Sequence, residues 1–578
     1  MKTALKISQT VIKRISDTTK PCLGKLYGIL FKNNIIILAL QAEVDTCSNL
    51  LYSLPAEVDF CGVFKSGDND TTSPWIRQST SEIYVTDSPI YINFNLEEKK
   101  LSTFIILNDR IEPLQYTVVT EPDLNSQFIH LRLLGNLPVK CEASIKAVEE
   151  VFNGLRKLVT SNAVAFTFEK SNVFLLGNDY DNPILGISGD NTVSEMLEEG
   201  NDMEGAGKKK KQDLQVINVN LLRKNSEQDL TEIKSHAPIC VLDKRPMTVF
   251  NISLNLDGLA IVNRQLRVSK LHGILVESAI RKLRLYEHVL LSNLRENEDN
   301  QSNIQVLETF HFYPSECGHF VTRIYPHVNE EELKKERAML HAELLVSSEI
   351  PMFRRGNQFD FLALTNKNSP LLNPHEYVKK SDNGGQVSLV KGKYLYYHYC
   401  QDNMDDKGWG CAYRSLQTLA SWYKLQGFTE KDVPTFKEIQ KCLVDIEDKP
   451  ASFINSRQWI GSTEVGFVLD TLLGVTCKIL FASSGEEMST KGPELVNHFE
   501  NHGSPVMIGG GVLAHTILGV DYNRDTGSLK FLILDPHYTG GEDLQVITSK
   551  GWCGWKGCEF WDKSAHYNMC LPQVPRGV

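Results

Sequence analysis

The sequence Gly-Trp-Gly-Cys at residues 408–411 constrains this chain more than any other stretch. Apolar residues recur at helical spacing after it, which predicts a helix from Cys411 to about Lys424. Backbone N–H groups and the dipole at a helix start favour thiolate over thiol, so Cys411 is a candidate nucleophile. Gly408 and Gly410 allow a sharp turn and leave room for an extended substrate main chain. We therefore expect Trp409 and Gly410 to lie beside a bound substrate.

Composition bounds the class of protein. A chain of 578 residues exceeds a single core and predicts roughly three or four domain-sized units. Its net charge of −10 argues against a general nucleic-acid binder, which needs a basic face. The 13 cysteines form no framework, and no secretory signal is evident, which is typical of reduced thiols in the cytosol or nucleus. The apolar run Ile35 to Leu40 is too short to cross a bilayer, so we expect no direct membrane span.

The predicted fold class is α+β, with a papain-like cysteine protease domain at the C-terminus after a mixed α/β N-terminal region. Residues 1–190 are predicted to form an α/β interaction region that continues through 214–380, and 385–578 the protease domain. Between the two N-terminal parts, 191–213 is acidic and then carries four lysines (208–211), which predicts a disordered linker. The lysines could form a nuclear localisation signal, but a solvated charge run is the favoured interpretation.

Local patterns predict individual elements. A β-hairpin is predicted at 27–40, a strand pair at 83–85 and 90–94, and helices at 143–158 and 271–295. In the C-terminal region, 394–397 is predicted as a strand before the cysteine helix, and strands are predicted at 478–481, 505–508, 513–522 and 530–535. A cysteine helix followed by an antiparallel sheet is the papain-type order.

Two histidines could serve Cys411 as the base. His515 precedes Asp535 by 20 residues (535 − 515), a spacing that mimics the papain order. His537 follows Asp535 by two residues, and residues i and i+2 of extended backbone face the same way. The residues alone favour His537 narrowly, because Asp-Pro-His is a short-range arrangement that ends a buried apolar strand. Either histidine by itself could instead be a satisfied core residue.

Five motifs stand out in the C-terminal region: Tyr-His-Tyr-x-Gln-Asp at 397–402, Gly-Trp-Gly-Cys-Ala-Tyr-Arg-Ser-Leu-Gln at 408–417, Arg-Gln-Trp-Ile-Gly-Ser at 457–462, Gly-Gly-Gly-Val-Leu-Ala-His-Thr at 509–516 and Asp-Pro-His-Tyr at 535–538. Together they resemble the ubiquitin-fold-modifier-specific proteases, and the long N-terminal extension resembles their long form, type 2. The resemblance is continuous over about 385–578 and weaker through 310–314 and 353–355. The autophagy-related cysteine proteases are more distant relatives that share the Asp-Pro-His arrangement.

The resemblance implies roles for individual residues. Cys411 would be the nucleophile, His537 the base and Asp535 its orienting carboxylate. The Tyr399 hydroxyl would join a backbone N–H of Cys411 in the oxyanion hole, where a lost donor costs on the order of 10²-fold in turnover. Trp459 is the candidate wall of a narrow substrate tunnel, although a buried core tryptophan is an equal alternative.

The implied activity is thioester-mediated cleavage after the C-terminal glycine of the modifier. It would both mature the precursor and release conjugated proteins. The resemblance also implies a cytoplasmic protein delivered to the endoplasmic reticulum by a membrane-anchored adaptor, and it implies no cofactor. The N-terminal region is expected to be a non-catalytic interaction module, because no metalloprotease-type order of His-x-His, Ser and Asp is found.

Three alternatives remain open at this point. The set Cys553, Cys558, His566 and Cys570 could bind zinc, but its Cys-x₄-Cys spacing is at the upper edge of usual ligand spacing, so we expect no metal. The chain could also bind a modifier without cutting it, or cut another ubiquitin-like protein.

Overall fold

Two compact units make up the chain, and they divide between Ser347 and Ser348. The structure is a computed structural model. It describes residues 4–44, 50–69, 74–107, 110–169, 171–177, 183–201, 213–224, 249–296, 306–361 and 370–575. None of the helices in these ranges is both long enough and apolar enough to cross a membrane.

The N-terminal unit is mixed α/β, as predicted. Its strands are β1 (Ala4–Ser8), β2 (Cys22–Phe31), β3 (Asn34–Ala42), β4 (Asp59–Gly67), β5 (Ile90–Asn95), β6 (Lys100–Leu107), β7 (Arg110–Pro113), β8 (Tyr116–Val119), β9 (Phe128–Glu142), β10 (Val164–Phe168), β11 (Phe174–Leu175), β12 (Ile184–Leu185), β13 (Val216–Arg223), β14 (Val249–Asn263), β15 (Leu307–Phe312) and β16 (Val321–Pro326). Its helices are α1 (Gln9–Ser16), α2 (Pro74–Thr80), α3 (Glu121–Gln127), α4 (Ile145–Val159), α5 (Val193–Asn201), α6 (Leu271–Glu296) and α7 (Lys334–Leu344).

Three sheets organise this unit. The first has eight strands in the order β7-β6-β5-β4-β2-β3-β1-β8, the second has six in the order β12-β11-β10-β13-β9-β14, and β15 pairs with β16. Helices α4 and α6 pack on the six-stranded sheet, and Phe152, Leu275 and Leu283 are buried there. The predicted hairpin (β2–β3) and the two long helices (α4 and α6) are confirmed.

Two local predictions in this unit are wrong. Residues 83–85 form no strand, and Tyr84 is 93% exposed; β5 pairs instead with β4 and β6. Part of the predicted linker 191–213 is helix α5, because Val193 and Met196 reach the core despite the acidic composition around them. Residues 202–212, including the four lysines, lie outside the described residues.

The C-terminal unit contains the predicted cysteine helix and antiparallel sheet. Its helices are α8 (Cys411–Leu425), α9 (Phe436–Asp445), α10 (Ser462–Leu473), α11 (Gly492–Asn501) and α12 (Leu544–Ser549). Its strands are β17 (Gln386–Leu389), β18 (Cys477–Ala482), β19 (Val506–Gly510), β20 (Leu513–Tyr522), β21 (Leu529–Leu534), β22 (Cys553–Lys556) and β23 (Tyr567–Pro572). The strands run in the order β18-β23-β19-β20-β21-β22, with β17 also paired to β20. Helix α8 packs across β19 and β20 of the sheet, in which β20 carries His515 and β21 ends just before Asp535.

Residues 394–397 are not a strand, contrary to the prediction, because side chains take up their backbone N–H groups. The N–H of Leu395 donates to Ser421 Oγ at 2.9 Å, and that of Tyr397 donates to Thr418 Oγ1 at 3.1 Å. Both acceptors lie on α8. The segment is thereby fixed directly to the cysteine helix.

The C-terminal unit begins before the predicted boundary at 385. Arg355 Nε forms an ion pair with Glu430 at 3.1 Å, and the Leu371 N–H donates to Glu542 at 3.1 Å. A Cβ at Gly356 would lie 2.4 Å from the Thr429 carbonyl oxygen, so the backbone there packs tightly on the unit. Residues from Ser348 onward therefore belong with the peptidase side of the chain rather than with the predicted 214–380 segment.

Candidate active site

Cys411 begins helix α8 at the end of a tight turn. Gly408 has φ +79°, in the left-handed region that favours glycine. The Gly410 N–H donates to the Asp406 carbonyl at 2.9 Å, and a Cβ at Gly410 would lie 2.7 Å from the Asp406 Cβ. Glycine at 410 is therefore required by packing against Asp406. The turn leaves the Cys411 side chain 8% exposed at the positive end of the helix.

His537 is held by Asp535 just beyond the end of β21. Its Nδ1 lies 2.6 Å from Asp535 Oδ1, and its backbone N–H donates to the same oxygen at 2.9 Å. The Asp535 backbone is itself fixed, because its N–H donates to the Trp552 carbonyl at 2.8 Å and its carbonyl accepts from the Tyr396 hydroxyl. The carboxylate thus sets the orientation of the ring, as a base-orienting group does.

The other ring nitrogen of His537 is left for the thiol. Nε2 is buried, and within the described ranges it forms no hydrogen bond apart from its interaction with the Cys411 thiol. Burial by itself would lower the pKa of His537, but hydrogen bonds and charges from Asp535 and Cys411 outweigh it and raise the pKa to about 9. Burial would likewise raise the pKa of Cys411, yet His537 and the Tyr399 hydroxyl together lower it. These opposite shifts favour a thiolate–imidazolium pair at neutral pH.

Tyr399 presents its hydroxyl to the sulfur. Burial and the Cys411 charge raise the pKa of Tyr399, so the phenol keeps its proton and can donate it to Cys411. The Gly408 N–H donates to the same hydroxyl oxygen, which directs the O–H toward the sulfur. The Tyr399 ring meets the His537 ring edge to face with centroids 5.3 Å apart. The predicted oxyanion donor therefore lies with the cysteine and the base.

Sequence reasoning missed one donor at this site. The backbone N–H of Ala514, on strand β20, donates to the Cys411 sulfur and lowers its pKa. A backbone N–H cannot be recognised from the residue type, so only the packing of α8 on β20 in the structure reveals this donor.

His515 lies next to the catalytic pair but does not contact the thiol. Its Nε2 is 4.0 Å from Asp535 Oδ2, on the side opposite the oxygen that binds His537. Its ring centroid is 5.2 Å from that of His537. Burial, the dominant cause, lowers the pKa of His515 to about 4, so the ring is neutral at pH 7. The geometry favours His537 over His515 as the base.

The two candidate substrate-binding tryptophans differ. The Trp409 ring points into the core, where it packs edge to face on Phe436 with centroids 5.4 Å apart. Its backbone therefore borders the turn, and its contact with a bound substrate stays a prediction. Trp459 is 53% exposed, and its Nε1–H donates to the Gly408 carbonyl at 3.1 Å. It is not a core tryptophan, and it forms an exposed aromatic wall beside the cysteine turn.

The four residues of the alternative zinc set do not lie close enough together, in the described part of the chain, to form a metal site. Across the described ranges, the one group of potential metal ligands within 4.8 Å of one another is His515, Asp535 and His537. In that group the Asp535–His537 hydrogen bond already occupies Nδ1. A metal ion there would have to break the bond that orients the base.

The pH dependence of Cys411 alkylation tests the ion pair. Iodoacetamide should modify Cys411 at a pH below that of an ordinary thiol, because its pKa is lowered. In His537→Ala the burial that raises the thiol pKa remains while the main opposing group is gone, so the alkylation midpoint should move to higher pH. Mass spectrometry of the modified peptide measures both midpoints. An unchanged midpoint in the variant would contradict the assignment of His537 as the partner of the thiolate.

Comparison with known proteins covers the whole chain. The family model for peptidase family C78 matches residues 385–570. Two further models match the N-terminal side: an insect UFM1-specific protease N-terminal MPN-like domain at 1–124, and a ubiquitin-fold modifier 1 specific protease 2 N-terminal domain at 149–363.

Similar proteins cover most or all of the chain. A protein named "Probable Ufm1-specific protease 2" from Drosophila melanogaster is 36% identical over 99% of this chain and 99% of its own length. "Ufm1-specific protease 2" of Gallus gallus is 42% identical, covering 78% of this chain and 98% of the relative. The crystal structure of UfSP from C. elegans covers all of both chains with a TM-score of 0.66 at 24% identity, and it supports the fold. The chain belongs to the Ufm1-specific protease 2 family, and its C-terminal domain is a cysteine peptidase of peptidase family C78.

Proposed function

We propose that this chain cleaves the bond after the C-terminal glycine of Ufm1, both in the Ufm1 precursor and in Ufm1 conjugates. The observation that carries the proposal is the Cys411 thiolate with its His537–Asp535 base and the Tyr399 hydroxyl beside it. The substrate is supported by the family relatives, whose names specify Ufm1.

The geometry supports acyl transfer in two halves. The Cys411 thiolate attacks the glycine carbonyl carbon, and the resulting oxyanion is stabilised by the Tyr399 O–H and the Cys411 backbone N–H. The C–N bond then breaks as His537 Nε2–H protonates the leaving amine. In the second half His537 takes a proton from water, the water oxygen attacks the thioester, and the C–S bond breaks to release the modifier carboxylate.

The surroundings of the turn suit a tail of small residues. A Cβ at Gly408 would meet nothing within 4 Å, so the backbone before the cysteine borders open space. The exposed Trp459 indole sits on the Gly408 carbonyl, where it can limit the width of that space. We propose that Trp459 admits a glycine-ended main chain and excludes bulkier side chains near the scissile bond.

Electrophilic modifiers test the proposed specificity. Ufm1, ubiquitin and an autophagy-related ubiquitin-like protein, each with a C-terminal vinyl methyl ester, are mixed separately with the full chain. Ufm1 alone should form the thioether adduct, and peptide mapping should place it on Cys411. An equal reaction with another modifier would support the alternative protease, and no adduct with any of the three would support a non-catalytic binding module.

We further propose that the N-terminal unit delivers the peptidase to its substrates on the endoplasmic reticulum surface, through a membrane-anchored adaptor, from a cytoplasmic pool. Residues 1–124 and 149–363 match N-terminal domain models that are separate from the peptidase model, which supports a role other than cleavage. Fractionation of cells that express the full chain tests the location. Recovery in the soluble fraction only would contradict the recruitment.

A further inference from the structure

His398, in the motif before Tyr399, has a hydrogen-bond acceptor at each ring nitrogen. Its Nδ1 lies 2.9 Å from the Tyr399 carbonyl oxygen, and its Nε2 lies 3.0 Å from Glu542 Oε1. The His398 side chain is 1% exposed, so water cannot replace either partner. A carbonyl oxygen only accepts, so Nδ1 carries a proton. The other ring nitrogen, Nε2, faces Glu542.

Glu542 is surrounded by donors. Gln401 Nε2 donates to its Oε1 at 2.6 Å, and the Leu371 backbone N–H donates to its Oε2 at 3.1 Å. The Gln401 amide is oriented independently, since its Oε1 accepts the His398 backbone N–H at 3.0 Å and its Nε2 also donates to the Tyr396 carbonyl. Glu542 thus holds the far side of the His398 ring through Nε2, which leaves the Nδ1–H to bind the Tyr399 carbonyl.

The His398 ring fixes the peptide group of Tyr399. While His398 donates to the Tyr399 carbonyl, the Tyr399 N–H donates to the Pro536 carbonyl at 2.9 Å, between Asp535 and His537. The next N–H, from Cys400, donates to Asp406 Oδ1 at 2.8 Å. The two peptide groups on either side of the Tyr399 Cα are thus tied to the loop that carries the base, to the cysteine turn and, through His398, to Glu542.

The backbone after Tyr399 is strained and needs such support. Cys400, Asp402 and Asn403 have φ values of +64°, +59° and +56°, in the left-handed region that residues other than glycine rarely adopt. Strained conformations of this kind persist only where the surrounding contacts hold them. Without the His398 hydrogen bond, the Tyr399 peptide can turn and its hydroxyl can move away from Cys411.

We infer that His398, held in place by Glu542, is a positioning residue that keeps the Tyr399 hydroxyl aimed at the reacting carbonyl oxygen. The inference rests on the proposed function, in which Tyr399 is the oxyanion donor. His398 does not touch the substrate. It acts through Tyr399, and a displaced donor loses most of its effect because such donors act over short, directed hydrogen bonds.

A double-mutant cycle between His398→Ala and Tyr399→Phe tests the inference on cleavage of a Ufm1–peptide fusion. In the otherwise native chain, His398→Ala should lower kcat by about tenfold or more and change KM by less than about twofold. In the Tyr399→Phe background, where no hydroxyl remains to be aimed, the same substitution should change kcat by less than about twofold. An equal loss in both backgrounds would overturn the inference.

Two further measurements separate positioning from a general loss of structure. In His398→Ala the midpoint pH of Cys411 alkylation by iodoacetamide should rise no further than it does in Tyr399→Phe, since the His537–Asp535 pair is intact; a rise as large as that in His537→Ala would overturn the inference. The matched control is His498→Ala, which removes another buried histidine of this unit, one that bonds the Ser504 carbonyl at 2.9 Å. Any effect of this control should be the same with and without the Tyr399 hydroxyl.

A second variant covers the case in which His398→Ala does not fold. Glu542→Gln keeps the side-chain shape but exchanges a carboxylate oxygen for an amide nitrogen and so weakens the hold on His398 Nε2, and its kcat loss should likewise disappear in the Tyr399→Phe background. Retention of that loss would overturn the inference. If the native chain itself does not cleave the fusion, the proposed function fails, whereas cleavage without coupling removes only the role of His398.

Discussion

Replacing Cys411 with serine is expected to abolish cleavage of a Ufm1–peptide fusion. The loss of kcat/KM should be about 10⁴-fold or more, the scale seen when a hydrolase loses its nucleophile. The site is built for a sulfur that ionises: the helix start, the Ala514 N–H and the His537 imidazolium all stabilise a thiolate. A serine hydroxyl has a far higher pKa, so the same groups would leave it protonated and weakly nucleophilic.

Binding should survive this substitution, because serine is smaller than cysteine and the turn that forms the site does not depend on sulfur. Fluorescence anisotropy of labelled mature Ufm1 measures the affinity beside the cleavage assay. The control is Cys558→Ser. The Cys558 thiol is half-buried and donates to the Leu529 carbonyl at 3.5 Å, and burial raises its pKa. This control should retain full activity. Cleavage by Cys411→Ser at more than about one hundredth of the native rate would contradict the assignment of the nucleophile.

The parts of the site that are close in sequence could be predicted from it. Asp535 and His537 are two residues apart, so their proximity could be predicted, but Pro536 and His537 form a turn in which Asp535 Oδ1 also accepts the His537 N–H, and not the extended backbone that the prediction assumed. Cys411 was marked by its position at a helix start, a local signal. The Ala514 N–H and the Glu542 carboxylate carry no such signal, because they reach the site only through strand pairing and loop packing more than 100 residues away.

The difference between local and long-range signals also explains why the predicted linker at 191–213 is partly wrong. Composition favoured a linker at 191–213, but Val193 and Met196 belong to the core of the N-terminal unit, and two apolar anchors suffice to seat a short helix. Strand β13, just after that segment, lies between β10 and β9, so residues on both sides of the predicted linker share one sheet. Sheet order is set by long-range pairing, which local composition does not encode.

His537→Ala and His515→Ala form a matched pair that identifies the base. His515 is buried and His537 is partly buried, both lie beside Asp535, and each substitution removes one imidazole. His537→Ala should lower kcat/KM by about 10³-fold or more, because no other group can hold the thiolate and protonate the leaving amine. His515→Ala should lower it by about tenfold or less, since its ring is neutral and its Nε2 is 4.0 Å from the carboxylate it faces.

Stability should follow the opposite order. The His515 side chain is 7% exposed and packs edge to face on Phe560 at 5.1 Å, so its loss leaves a cavity that should cost about 1 to 3 kcal/mol. The His537 side chain is 19% exposed, so its removal should cost less. Thermal unfolding followed by circular dichroism, beside the cleavage assay, measures both orders. Full loss of activity in His515→Ala with activity retained in His537→Ala would transfer the role of base to His515, and it would require Asp535 Oδ2, rather than Oδ1, to orient the catalytic ring.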